Sequence, residues 1–507
     1  MPARNDNEPD TRYPLPATRY PSPVSRFPIP DSRFPIPDSR RGCAAGRVAP
    51  PYVMSRFHPV VTVTLVLGIS TSSYAQLPTS PIGLWASEGY GLFLDVRADT
   101  VATFEVTKVS CVPDLRAPTS PPPAGALGAF TLTEAPVTFV IMPGTTATQA
   151  RLHVAFAASD VIIHRIDRKP AVCDRTTPDT PLSNFDVFAQ TWTEHYPFFA
   201  EKKVDWPAVV AANRPRVSDA TTPEQLFDIL SGMIAPLEDA HSYVGARAIK
   251  RNFGGVRKSP SFLATADDRN AGYAMVTPHL TGPLQRFCEG QVEFSMLGPD
   301  VGYLRIRGFS RYSKDGSYET GLAALEAALD TAFANARTWK GLVIDVRLNG
   351  GGADPYGIAI ARRLTTTPYT AYAKQARSDP ADPSRWTAEQ LSVVQPGTRP
   401  GFPGTVVELI GVQSISAAET FTQALMNRTP KVIRVGERTQ GVFSDVLGRT
   451  LPNGWSFGLA NERFVTNGRS FDNVGISADV AVESFTPAAR ATGRDAGIEK
   501  ALEILKR

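Results

Sequence analysis

One stretch constrains this chain more than any other. Gly411-Val-Gln-Ser-Ile-Ser416-Ala-Ala-Glu419 reads as a strand end, a tight turn and the first turn of a helix. Before it, Gly404-Thr-Val-Val-Glu-Leu-Ile410 is β-branched and apolar, as a buried strand requires. After it, residues 419–426 favour helix, and Asn427-Arg-Thr-Pro430 stops it. A serine there has its hydroxyl beside free backbone N–H groups and the positive end of the helix dipole. That environment favours a nucleophile and the oxyanion it creates. The competing reading is helix capping by Ser414 or Ser416, with Glu419 completing a capping box from Ser416.

A second glycine-marked turn lies upstream. Gly341-Leu-Val-Ile-Asp-Val-Arg347 reads as a buried parallel strand, Leu348-Asn-Gly-Gly-Gly352 as a turn, and residues 355–364 as a helix. Glycines at such a place let backbone N–H groups approach a ligand atom closely. No Lys-Ser/Thr follows, so the phosphate-binding loop pattern is absent and an oxyanion donor fits better.

The front of the chain is of another kind. Arg26-Phe-Pro-Ile-Pro-Asp-Ser32 repeats at once as residues 33–39, within a Pro/Arg tract over 1–53 that cannot build a core. Met54, Arg56 and His58 then precede an apolar run from Val60 to Ile69, and small residues at Ser73 and Ala75 mark a cleavage site before Gln76. The expectation is a leader at 54–75, a true start at Met54, and an exported chain with no membrane span in its mature part, periplasmic or secreted. What remains is roughly 430 residues, enough for two or three domains. The net charge of +4 is inflated by the Arg-rich front, and without it no basic run argues for nucleic acid.

Residues 76–175 read as an all-β unit, a small barrel or sandwich, with strands near 83–85, 91–96, 101–106, 137–141, 151–156 and 160–164 and a loop at 118–123. Cys111 and Cys173 would clamp it if paired in an oxidising compartment, leaving Cys288 over. No Cys/His spacing resembles a zinc site. His153, His164 and His195 read as structural. Residues 180–250 form a helical unit, in which Phe185, Phe188, Trp192 and Tyr196 make an aromatic face. Its last helix runs into Asp239-Ala-His241-Ser242. His241 is a candidate general base with Asp239 or Ser242 to orient it, or else a helix-terminal His facing the dipole. A further unit spans 251–485, with an amphipathic helix at 318–339, and a closing helix occupies 486–507.

Several segments together resemble one family: the exported serine peptidases related to the C-terminal processing peptidases and the tricorn core. They are the glycine run to Gly352, the serine turn to Glu419, Val435-Gly-Glu-Arg-Thr-Gln-Gly441 and Asp472-Asn-Val-Gly-Ile-Ser-Ala-Asp479, with 237–242 and 301–306 upstream. The resemblance covers about residues 180–485 and implies a crotonase-like α/β core of β-β-α units that hydrolyses peptide bonds in peptide or protein substrates without a cofactor. Position by position it makes Ser416 the nucleophile, and Ala417 with Gly351 or Gly352 the oxyanion donors.

The mechanism departs from the processing peptidases. Their catalytic Lys would follow Thr439-Gln-Gly441, where this chain has Val442, and no Lys occurs between Lys431 and Lys500. The tricorn-like branch takes a His before the core, here His241, and a late carboxylate, here Asp472. That branch's serine before the His is Ala240 here. Asp345 and Arg347 read as satisfying each other or the backbone, Asp479 as a turn cap, and Ser444 and Thr439 as pocket lining. The 251–300 interval is too short for a PDZ module. Two alternatives stand beside the enzyme: a catalytically inactive ligand- or peptide-binding protein on the same core, as in retinoid-binding modules that resemble this family, or a docking role carried by the β unit.

Overall fold

The structure, a computed structural model, describes residues 77–133 and 137–506. The Pro/Arg repeats and the leader-like stretch lie outside the described residues.

Eight antiparallel strands close into a barrel: β1 (Gly83–Ser87), β2 (Leu92–Val96), β3 (Thr100–Val106), β4 (Cys111–Ser120), β5 (Gly128–Thr131), β6 (Thr138–Pro143), β7 (Gln149–His153) and β8 (Val161–Ile166). Closure removes every free edge. Alternating inward residues, among them Trp85, Leu94, Phe130, Ile141 and Ile163, fill the interior. The expected loop at 118–123 is corrected in part: Pro118, Thr119 and Ser120 belong to β4, paired to β3 through Thr100 and Val101 and to β5 through Phe130 and Ala129. Cys111 and Cys173 are bonded, tying β4 to the chain that enters the helices. His153 and His164 meet Asp160 and Glu88.

Three helices follow: α1 (Pro181–His195), α2 (Trp206–Asn213) and α3 (Pro223–Ile234). Thr180 caps α1, and Thr222 with Gln225 forms a capping box on α3. Their aromatic face is one cluster, Trp192 packing against Phe188, Tyr196, Phe199 and Trp206. β9 (Tyr243–Ala246) and β10 (Arg251–Gly254) come next. They pair with strands from far down the chain, so the helical unit shares a hydrophobic core with residues 447–460.

The interval after β10 contains α4 (Ala266–Ala274), β11 (Gln285–Phe287) and β12 (Val292–Met296). Then come β13 (Val301–Ile306), α5 (Tyr318–Ala332), β14 (Gly341–Asp345), α6 (Asp354–Arg362), β15 (Tyr369–Ala376), β16 (Gln390–Val394), β17 (Thr405–Ile410), α7 (Ala417–Ala424) and β18 (Ile433–Gly436). The α5 helix ends at Ala332 rather than 339, because Phe333 leaves helical geometry and a short 3-10 turn follows. The chain closes with β19 (Val446–Thr450), β20 (Ser456–Ala460), β21 (Glu462–Thr466), β22 (Arg469–Ser470), β23 (Val480–Ala481), α8 (Pro487–Thr492) and α9 (Ala496–Leu505).

The central sheet runs β11-β12-β13-β14-β17-β18-β23, parallel from β13 onward. β13 and β14 are buried along their whole length and β17 in all but its first residue, which explains their mainly apolar sequence. Two four-stranded sheets flank it, β10-β9-β20-β19 and β16-β15-β21-β22. Asp345 forks with Arg347, which also binds Asp495. Asp479 is not a turn cap: its carboxylate binds Arg434 and Lys431.

Candidate active site

β14 and β17 are neighbours in parallel register, with Asp345 opposite Leu409. Their outgoing turns therefore lie side by side at the carboxyl edge of the sheet, where ligands of such sheets bind. The two turns are fastened together: the Ile415 amide donates to the Asn349 carbonyl at 3.0 Å, and Ser414 Oγ donates to the Val346 carbonyl at 2.8 Å while accepting the Gly411 amide. That assigns Ser414 a structural role and leaves Ser416 at the tip.

Ser416 has φ 59° and ψ −124°, a conformation that side-chain-bearing residues rarely adopt. It is the strained strand-to-helix turn that thrusts a serine hydroxyl outward. Its side chain makes no cap bond to α7, so the capping reading is corrected. Glu419 forms no capping box either. Its carboxylate accepts the amides of Gly441 (2.6 Å) and Val442 (2.7 Å) and binds Thr439. Burial pushes Glu419 up to about 7 against the pull of those donors. The clamp positions residues 441–442, and the Val442 carbonyl in turn accepts the Ser416 amide at 3.0 Å.

The glycine turn wraps the serine closely. A Cβ on Gly351, at φ 93°, would lie 2.6 Å from Ser416 Cβ and 3.0 Å from the Ala417 nitrogen. The two glycines then part in role. The Gly351 amide is committed to Asn349 Oδ1 at 2.8 Å. Gly352 is exposed, and among the described residues neither its amide nor that of Ala417 donates to an acceptor. Two unspent N–H groups therefore flank the Ser416 turn.

His241 is not at a helix end, contrary to one sequence reading. α3 stops at Ile234, a 3-10 turn ends at Leu237, and Glu238 in left-handed geometry turns the chain, so His241 sits in the loop before β9. Asp239 shapes that loop, its Oδ1 accepting the His241 amide at 2.8 Å and its Oδ2 the Tyr196 hydroxyl at 2.9 Å. The imidazole is buried. Burial lowers its pKa, opposed by the Asp239 and Asp445 carboxylates and by the backbone of Ser444. Ser416 and His241 thus meet the same short segment, the serine through Val442 and the histidine through Ser444.

Of the orienting candidates, Asp239 acts on the loop and the ring, whereas the buried Ser242 hydroxyl has no partner among the described residues. Asp472 is held elsewhere. It accepts the Phe443 and Phe464 amides and the Ser470 hydroxyl. Burial pushes it up to about 7.

Sequence reasoning passed over Asn349, although it stands inside the glycine run, and Asp445 and Lys374. A distant lysine does return to this region. Lys374 on β15 is buried and bridges Asp445 (2.5 Å) and Glu462 (3.1 Å). Burial alone would lower its pKa, but the two carboxylates outweigh it and hold the ammonium well above its ordinary value. It is a fixed cation, not a base. Ser444 and Thr439 do not line an open pocket. Ser444 Oγ donates to the Asp445 carbonyl and accepts the Asn461 and Glu462 amides, and Thr439 Oγ1 accepts the Ile476 amide.

Among the described residues no group of His, Cys, Asp and Glu is arranged to hold a metal, and no helix is long and apolar enough to cross a membrane.

Residues 300–482 match the model of peptidase family S41, and residues 178–235 match that of the Tricorn protease C1 domain. No curated protein matches the chain. Among solved structures, a candidate peptidase from Parabacteroides merdae ATCC 43184 is 26% identical, covering 65% of this chain and 97% of its own, with a TM-score of 0.55. Mature CPAF complexed with lactacystin (13% identity, 65% and 98% covered, TM-score 0.46) and the tricorn protease (13%, 82% and 46%, TM-score 0.39) are also similar, at a distance too great to bear on function.

Proposed function

We propose a mechanism for a chain that belongs to peptidase family S41 and is a serine-type peptidase. Ser416 Oγ attacks the scissile carbonyl of a peptide or protein substrate, and His241 takes its proton. The developing oxyanion accepts hydrogen bonds from the amides of Gly352 and Ala417. His241 then returns the proton to the leaving amine, and water, activated by the same imidazole, releases the acyl group. Every step uses this chain's own side chains and amides.

The observation that carries the reading is the backbone of Ser416. A residue held at φ 59° without spending its hydroxyl on the helix stores strain that capping does not explain. The unspent amides beside it and the buried imidazole against the same segment, whose pKa burial lowers, support the same reading, since a base must be unprotonated to accept the serine proton. Of the two glycines, Gly352 suits the oxyanion better, because the Gly351 amide already has an acceptor. The run of parallel strands with alternating helices supports a crotonase-like core, and the Cys111–Cys173 bridge supports export to an oxidising compartment.

The test is hydrolysis of a denatured protein such as casein, with products identified by mass spectrometry. Ser416→Ala and His241→Gln should each lower the rate at least about a thousandfold while leaving the fold intact. Wild-type cleavage that persists in folded Ser416→Ala would exclude Ser416 as the nucleophile.

A further inference from the structure

The described mechanism leaves a buried charged cluster unused beside the site. Lys374 is its centre, with a side chain only 3% exposed. It bridges Asp445 Oδ2 and Glu462 Oε1. Glu462 is triply held, since it also accepts the Asp445 amide (2.8 Å) and the hydroxyl of Tyr90 (2.6 Å). Tyr90 lies in the turn between β1 and β2 of the barrel, more than three hundred positions away in sequence, and its own carbonyl accepts Arg449. The Asn461 side chain reaches the Gly89 carbonyl of the same turn. The barrel thus plugs its first hairpin into the back of the peptidase core.

The front of the cluster is Asp445, whose side chain is 45% exposed although its partner is buried. It is next in sequence to Ser444, whose backbone lies against the His241 ring. The same segment begins at Val442, which carries the Ser416 amide. Asp445 is therefore fixed by the cluster within electrostatic reach of the imidazole. Asp472, which the family resemblance nominated as the carboxylate, is already committed to two amides and a hydroxyl.

We propose that Asp445, fixed by Lys374 and, through Glu462, by Tyr90 of the barrel, is the carboxylate that positions His241, so that the N-terminal barrel completes the active site. The charge arithmetic favours this role. Asp445 and Glu462 share one ammonium and the buried Asp354 carboxyl lies within its field, so the cluster can accommodate a further positive charge. The imidazolium formed when His241 takes the Ser416 proton supplies it, and no proton needs to move onto Asp445. The groups that act on the ring include Asp239 on its own loop, Asp445, and the Ser444 backbone.

This inference rests on Ser416 and His241 acting as proposed above, and the experiment separates the two. The full chain is treated with a fluorophosphonate, and the labelling rate of Ser416 is followed against pH, which reads the base without a known substrate. In the wild type the rate should rise as His241 loses its proton. Asp445→Asn removes a negative charge that favours imidazolium, so the inflection should move to lower pH and the plateau rate should fall about tenfold. Tyr90→Phe deletes one oxygen, keeps the packing and should slow labelling about fivefold well below its melting temperature. A purely structural role would lower the melting temperature and leave both the inflection and the plateau unmoved. Labelled wild type with unchanged Asp445→Asn and Tyr90→Phe profiles would overturn the proposal alone. Wild type that does not label at Ser416 would overturn the nucleophile assignment and this proposal with it. Should Asp445→Asn fail to fold, the Tyr90→Phe rate decides.

Discussion

Ser416 and Glu408 are eight positions apart on one strand-turn-helix unit and behave oppositely. Ser416 spends no hydroxyl bond on capping α7, while Glu408, inside β17, is fully buried with Oε1 bonded to Thr422 and Oε2 without a partner among the described residues. Burial pushes Glu408 up to about 7. The folded chain therefore binds this proton more tightly than the unfolded chain does, so stability should be highest when the group is protonated and fall as pH rises from about 4 to about 7. Glu408→Gln keeps the shape and removes the charge. It should match the wild type near pH 4 and exceed it by about 3 kcal/mol above pH 7, as denaturant unfolding at both pH values would reveal. At this scale the sequence was informative where backbone geometry constrains residue type: the Ser416 turn and the glycines. The choice between Gly351 and Gly352 was not legible, because it depends on where the Asn349 side chain points. Nor was Asp445, whose partners come from β15 and β21.

At the scale of elements, α7 does two things at once. Its first residue offers an amide beside Ser416, and its third, Glu419, reaches across to fasten residues 441–442. A charged acceptor with two backbone donors is among the stronger hydrogen-bonding arrangements. Glu419→Ala should cost about 3–5 kcal/mol and also release the segment on which Ser416 and His241 meet. The expected result is a lowered melting temperature together with a catalytic rate that falls further than partial unfolding explains. Alternating or continuous apolar patterns exposed the barrel strands β1, β2 and β3 and the core strands β14 and β17. β4 and β5 were obscured because Pro113, Pro118 and the polar residues between them break the pattern; the closed barrel tolerates them through a register shift between Ala102 and Phe104. α4 was hidden by its composition, Ala-Asp-Asp-Arg-Asn-Ala-Gly, which has little apolar face, and it is held by a Thr265 cap.

For the molecule as a whole, sequence reading separates a β unit, a helical unit and a core, and the structure joins them. The barrel meets the core through Tyr90–Glu462, Glu105–Thr450 and Asp160–Gln390, and the helices share a core with β19 and β20. Contacts between residues hundreds of positions apart leave no periodic trace, which is why the junctions were illegible while the units were not. The Cys111–Cys173 bridge spans 62 positions at the junction of barrel and helices. Cys173→Ser should lower stability by about 2–4 kcal/mol through the freed unfolded chain, measurable as a melting shift that a reductant reproduces in the wild type. The central claim is that Ser416 is an alcohol activated by His241. Its most direct test is the intact mass and peptide map of the protein after diisopropyl fluorophosphate. A single adduct on Ser416, absent from folded His241→Gln protein, is the predicted result; an unmodified Ser416 in folded wild type, or equal modification without the imidazole, would contradict it.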